Sequence, residues 1–276
     1  MRIYRYWTKC SRDILLPDKE KSFVQPTSVY GYSNASEEAA RQCGEQLLDG
    51  LQKFLSEDAV PWSYDERPIR EEILRELSPE NIVTRNRYGA EVLNSTQLAF
   101  IDIDGSLPCS GGLFHWLAGL FGRKGSTTDL DRVAALAGAG PFVRGCQIRV
   151  YRTKAGYRLL LPDCGIAGKD SGPLMKQFHA DPLYASLCRL QNCYRARLTP
   201  KPFRLRIHGR KFKFPERTED EAAEEARWLE EYNAKMESYA VCSYLGTVNG
   251  PEGDSDNAAV RFHDDRTKAM SSLRLA

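Results

Sequence analysis

The sequence predicts an α+β fold, with a mixed or antiparallel sheet and helices packed on one face. Three observations predict it. Segments of strand type recur at 2–8, 82–93, 97–104, 147–153, 157–161 and 193–198. Helical patterns stand at the two ends and between some strands, without the strict alternation of a parallel α/β sheet. The composition, 42% hydrophobic and 28% charged, is that of a globular chain and excludes disorder or a fibrous repeat. The 276 residues show no internal repeat and no Pro/Ser-rich linker, so a single domain over 1–276 is expected. Its core spans about 80–215, flanked by an N-terminal helical segment at 36–58, a C-terminal acidic helix at 218–239 and a polar tail.

Taken in order, residues 2–8 alternate and are aromatic, as a strand does. Residues 26–35 read as a loop, with Pro26, Gly31 and Asn34. Ser36-Glu37-Glu38 opens a helix whose apolar stripe is Ala40, Cys43, Leu47, Leu51 and Leu55. Residues 68–77 suit strand or helix, and local propensity favours helix. A strand is expected at 82–93 and a buried strand at 97–104. Gly105 to Thr128 is an insertion around the apolar Leu113-Phe114-His115-Trp116-Leu117, a segment suited to the core or to covering a site. Asp129 to Ala137 is a short helix, and 147–161 is a hairpin turning at Lys154-Ala155-Gly156. Residues 173–190 are helical, with a new start at Asp181-Pro182, where proline suits a first helical position. Strands are expected at 193–198 and 203–214, then the acidic helix, then a tail after Asn249 without a clear element.

No apolar run reaches the roughly 20 residues of a membrane span, and the N-terminus lacks an apolar leader core. A cytoplasmic chain without a membrane partner is expected. The eight cysteines contain no Cys-x-x-Cys, so reduced thiols are expected rather than structural zinc.

Charge is unevenly spread. The net charge is +2, yet 144–217 holds 17 Lys and Arg against four acids. From Arg189 to Lys213 there are nine basic residues and no acid, interleaved with Tyr194, Phe203 and Phe212. Cations among aromatics suit a surface that holds phosphates and stacks bases, so a nucleic acid or nucleotide partner is expected. Lys201 between Pro200 and Pro202 is expected in extended backbone.

The apolar strand Leu98-Ala99-Phe100-Ile101 ends in Asp102-Ile103-Asp104-Gly105. Side chains two apart on a strand share a face, so the two carboxylates repel unless a cation or proton relieves them. Divalent Mg2+ or Mn2+ does this through hard oxygen ligands. The same residues also suit a turn, with Asp104 before Gly105 and Asp102 capping a neighbouring element.

This stretch, with Tyr151-Arg152-Thr153-Lys154-Ala155-Gly156-Tyr157-Arg158 and Tyr194-Arg195-Ala196-Arg197-Leu198, resembles the archaeo-eukaryotic primase and primase-polymerase superfamily. The resemblance covers 98–206. It implies an RRM-like, primase-type core and metal-dependent nucleotidyl or phosphoryl transfer on nucleic acid or nucleoside triphosphates. Asp102 and Asp104 would be catalytic metal ligands, and Asp181 the nearest candidate for a third. Arg158 stands where that family has a histidine on phosphate. Thr153, Lys154, Arg195, Arg197, Lys201 and Arg204 would hold phosphates. Val83–Gly89, Asp181–Tyr184 and Gln191–Pro202 also resemble an uncharacterised bacterial protein family.

Two other readings remain. One is a non-enzymatic nucleic-acid-binding protein. The other is a phosphatase, since Asp102-Ile103-Asp104-Gly105-Ser106 resembles the haloacid-dehalogenase start with Asp102 as nucleophile, although the β/α alternation of that family is missing. His263-Asp264-Asp265 contains the dipeptide of metal-dependent phosphohydrolases, but four histidines in the chain are few for such a site.

Overall fold

The structure, a computed structural model, describes residues 1–16, 23–56, 68–107 and 128–276. These residues divide into two compact units, one of 2–72 with 213–217 and one of 73–212 with 218–276. The apolar segment around Trp116 lies outside the described residues.

In the smaller unit, the alternating run continues past residue 8 to form β1 (Tyr6–Leu16), paired antiparallel with β2 (Phe23–Ser33). The expected loop at 26–35 is therefore mostly strand. A two-stranded ribbon has only edges, so Pro26, opposite Asp13, breaks no central ladder. Helix α1 (Glu37–Ser56) lies on this ribbon. Its closest approach is at glycine, because a Cβ on Gly31 would fall 1.9 Å from the Ala40 carbonyl oxygen. Ala40, Gly44 and Leu48 are its buried residues; of the expected stripe, Ala40 is buried and Leu47 and Leu55 pack partly buried against the cluster around Leu48.

The larger unit holds two four-stranded sheets. Strands β3 (Glu72–Ser78), β4 (Asn81–Arg85), β5 (Glu91–Ser95) and β9 (Tyr194–Arg197) form one, in that order. Helix propensity at 68–77 loses to this pairing, because sheet neighbours outweigh a weak local preference. The other sheet has the order β11-β7-β8-β6, from β6 (Ala99–Asp104), β7 (Ile148–Thr153), β8 (Gly156–Leu161) and β11 (Cys242–Val248). All three of its pairings are antiparallel. Short strands β10 (Tyr239–Ala240) and β12 (Arg274–Leu275) pair parallel.

Helix α2 (Asp129–Gly138) starts with a Thr128–Asp131 capping box. Helix α3 (Gly172–Gln177) precedes α4 (Pro182–Gln191), which Asp181 caps and Pro182 opens as the sequence indicates. The acidic helix is α5 (Glu219–Met236), capped by Thr218 with Glu221. Two expectations fail beyond β9. Residues 203–214 are not a strand; a short 3-10 turn over Pro202–Leu205 is followed by irregular chain. The tail carries helix α6 (Ala258–Thr267), capped by Asn257. Its buried face includes His263, Asp264 and Thr267, so no apolar stripe marks it in the sequence.

The main core packs Phe100, Ile101, Val150, Leu159, Leu160 and Phe178 with their neighbours. No described helix is long and apolar enough to cross a membrane. None of the described cysteines forms a disulfide.

Candidate functional site

Pairing register decides what Asp102 meets. Asp102 on β6 lies opposite Arg158 on β8, and Arg158 lies opposite Tyr151 on β7. The three share a face, and cross-strand partners are near enough to pair. Arg158 grips Asp102 with both arms, Nε to Oδ1 at 2.8 Å and Nη2 to Oδ2 at 3.2 Å. Arg158 is 2% exposed and the Asp102 side chain 28%. Burial opposes the Arg158 charge, but the Asp102 carboxylate outweighs it and keeps the guanidinium protonated.

The third arm of Arg158 meets β9 and helix α6. Its Nη1 donates to the Arg197 carbonyl at 2.9 Å and meets His263 Nε2 at 3.4 Å. A guanidinium has no lone pair to offer, so Nε2 accepts and the proton sits on Nδ1. That proton points at Asp264 Oδ1, 2.9 Å away. Asp264 also accepts from Arg149 at 2.7 Å and from Tyr151 at 2.7 Å. Arg149 is completed by the Tyr151 hydroxyl and the Gly253 carbonyl. Burial pushes His263 below the usual imidazole range, so it is neutral. Burial opposes the Asp264 charge, but bonds from His263 and Tyr151 hold its carboxyl below the usual range. The His-Asp dipeptide is thus a buried support for Arg158, not a metal centre.

On the outer side, the Asp102 row opens into a cleft of about 440 Å³, solvent at its mouth included. Asp102, Asp104, Thr153, Arg158, Arg197, Lys201 and Arg204 line it, with Tyr157, Val241 and Ala276 among the rest. Among the lining side chains, four cations face two carboxylates. One Asp charge is consumed by Arg158. The side chains of Arg197, Lys201 and Arg204 have no hydrogen bond or ion pair among the described residues. Burial, with Arg158 nearby, pushes the Arg197 guanidinium down to about 10. Burial and then Arg197 and Arg204 lower Lys201. Burial lowers Arg204 too. Arg197 is repelled by Arg158 and Arg204, and Lys201 by Arg197 and Arg204; Asp102 and Asp104 offset this only in part and at a distance.

The chain fixes them firmly. Arg197 ends β9, whose register runs Arg197 to Val92. Tyr232 of α5 donates to the Pro200 carbonyl at 2.6 Å, and Thr199 sits within 2.8 Å of the same hydroxyl. Trp228 stacks on Tyr232 at 4.9 Å. Lys201 follows in extended backbone, as its flanking prolines imply. The 3-10 turn then returns Arg204 to the cleft. Tyr232 is a positioning residue; the sequence puts it with Trp228 and Leu229 on one side of the acidic helix but does not assign it to the site.

Three expected site residues stand elsewhere. Lys154 is exposed at the tip of the β7–β8 hairpin and does not line the cleft. Arg195 is buried, 9% exposed, and does not line it either. Asp181 uses Oδ1 to cap α4 through Leu183 N at 2.9 Å, while its own amide donates to the Asp102 carbonyl. As a metal set, Asp102, Asp104 and Asp181 do not fit. Both Asp102 oxygens accept from Arg158, and Asp181 is spent on its helix. Among the described residues there is no group of three His, Cys, Asp or Glu that could hold a metal ion. The Asp-x-Asp-Gly phosphatase reading fares no better. Its parallel sheet is absent, since the Asp102 sheet is antiparallel throughout, and Asp102 is tied as a counter-ion.

Comparison with protein-family models, with curated proteins and with solved structures gives no match. The functional reading therefore rests on the cleft itself.

Proposed function

We propose that this chain binds a phosphate-bearing ligand, a nucleotide or a nucleic-acid strand, in the cleft between β6, β8 and the 197–204 segment. The observation that carries this is the excess of positive charge. Arg197, Lys201 and Arg204 converge with Asp104 as the one lining carboxylate not paired to Arg158, and their mutual repulsion is relieved when an anion enters. Arg158 holds Asp102 in place and keeps that carboxylate from cancelling the cations. Thr153 adds a hydroxyl at the rim.

Calorimetric titration with inorganic triphosphate at low salt tests the reading. Binding that disappears in Arg197→Gln supports it; affinity equal to that of the unaltered chain speaks against it. A metal-dependent, primase-polymerase-like transferase is a second reading; Asp102 and Asp104 open onto the same cleft as the cations, but this reading needs Asp102 to exchange Arg158 for a divalent ion. The two separate on divalent ions. A binder needs none, whereas a transferase turns over nucleoside triphosphates only with Mg2+ or Mn2+.

A further inference from the structure

The basic stretch carries three aromatic residues, and the structure treats them differently. Tyr194 is 1% exposed, within the core. Phe212 packs edge-on against Trp228 at 5.3 Å. Phe203 is 68% exposed and stands between two cleft cations in sequence. The Lys201 ammonium is 6.0 Å from its ring centre and the Arg204 guanidinium 5.8 Å. Its backbone is not loose. Arg204 N donates to the Lys201 carbonyl, Arg206 N to Phe203's own carbonyl, and Ile207 N to that of Pro202. Pro202, Leu205 and Ile207 of the same segment are buried.

We infer that Phe203 is a stacking platform for an unpaired nucleobase whose phosphate lies on Lys201 and Arg204. This rests on the phosphate reading above and names the ligand class: a single-stranded nucleic acid or a nucleotide, as opposed to a simple polyphosphate. A flat ring bracketed by cations matches a ligand with a π-face and an anion a few ångströms apart. It does not match an apolar partner surface, because the side chains next to the ring are the cations of Lys201 and Arg204. The fixed backbone also spares the ordering entropy that a mobile aromatic would lose on binding.

The test compares a short thymidine oligonucleotide, an abasic strand of the same length, and inorganic triphosphate, by anisotropy or calorimetry. Phe203→Ala is expected to weaken the thymidine strand by roughly 5- to 150-fold, the range of base–aromatic stacking. It should leave the abasic strand and triphosphate unchanged. Phe203→Trp should retain affinity, with indole fluorescence quenched by the thymidine strand only. Equal loss for thymidine and abasic strands overturns the platform, and so does no loss for either. If the unaltered chain binds none of the three ligands, it is the phosphate reading that fails, a result distinct from losing the platform alone.

Discussion

Two groups of cations, both joined to Arg158, obey opposite rules. Arg149 and Arg158 are almost wholly buried, and each has a carboxylate and a carbonyl or hydroxyl within hydrogen-bond distance. Arg197, Lys201 and Arg204 sit a few residues away with no acceptor among the described residues. A buried guanidinium persists only when its charge is matched, since orphaning it costs several kcal/mol. A cleft cation can stay unmatched because solvent at the mouth carries part of the cost. The first group holds the fold together; the second is left with unused binding capacity. Charge alone does not make an arginine a binding residue, and its supply of partners decides which role it has.

The sharpest way to break this contrast is to remove a carboxylate from the closed group. Asp264→Ala leaves Arg149 buried without its counter-ion and should cost about 3–5 kcal/mol of stability in chemical denaturation. Asp102→Ala should be nearly as damaging because it orphans Arg158, whereas Asp104→Asn, at an exposed carboxylate, should leave stability unchanged. The open group should respond in the reverse sense. Each of Arg197→Gln, Lys201→Gln and Arg204→Gln should weaken triphosphate binding by about 1.5–3 kcal/mol, the worth of a charge-assisted hydrogen bond. Thermal stability should hold or rise, because a repulsive neighbour is gone. By the same logic, Asp104→Asn should tighten anion binding roughly 2- to 5-fold, the scale of an exposed charge interaction.

Acid should reach the closed group through His263. Its folded pKa is depressed by burial, while the unfolded imidazole titrates near about 6.5. Below that pH the unfolded chain binds a proton that the native chain refuses, so stability falls as pH drops through about 6.5. His263→Gln should flatten this part of the curve relative to the unaltered protein, measured by denaturation between neutral and mildly acidic pH. The smallest expected effect is ionic. Losing Lys201 should reduce the slope of log affinity against log salt for a single strand by about 1.

Much of the cleft could be read from the sequence because it is built from local patterns. The apolar run ending in Asp102 and Asp104 announces a strand with two acids on one face, and Lys154-Ala155-Gly156 announces the β7–β8 hairpin that carries Arg158, although the β6–β8 pairing that sets Arg158 opposite Asp102 is long-range. The extended Lys201 follows from its prolines. What stayed hidden depended on long-range packing. Nothing in Arg158's neighbourhood along the chain shows that α6 will place His263 behind it, about a hundred residues later. Arg195 and Arg197 look alike in sequence, yet one is buried and one lines the cleft. Helix α6 escaped because its inner face is polar, and β2 because proline and glycine read as loop.

If the three cleft cations hold phosphate, and not positive charge in general, two triple variants of equal charge change should behave differently when titrated with inorganic triphosphate at one low ionic strength. One neutralises the cleft (Arg197→Gln, Lys201→Gln, Arg204→Gln). The other neutralises exposed residues that do not line it (Lys154→Gln, Arg206→Gln, Lys211→Gln). Loss of binding in the first with near-native affinity in the second is the result expected here. Equal weakening in both would mean that the cleft has no special part in holding phosphate.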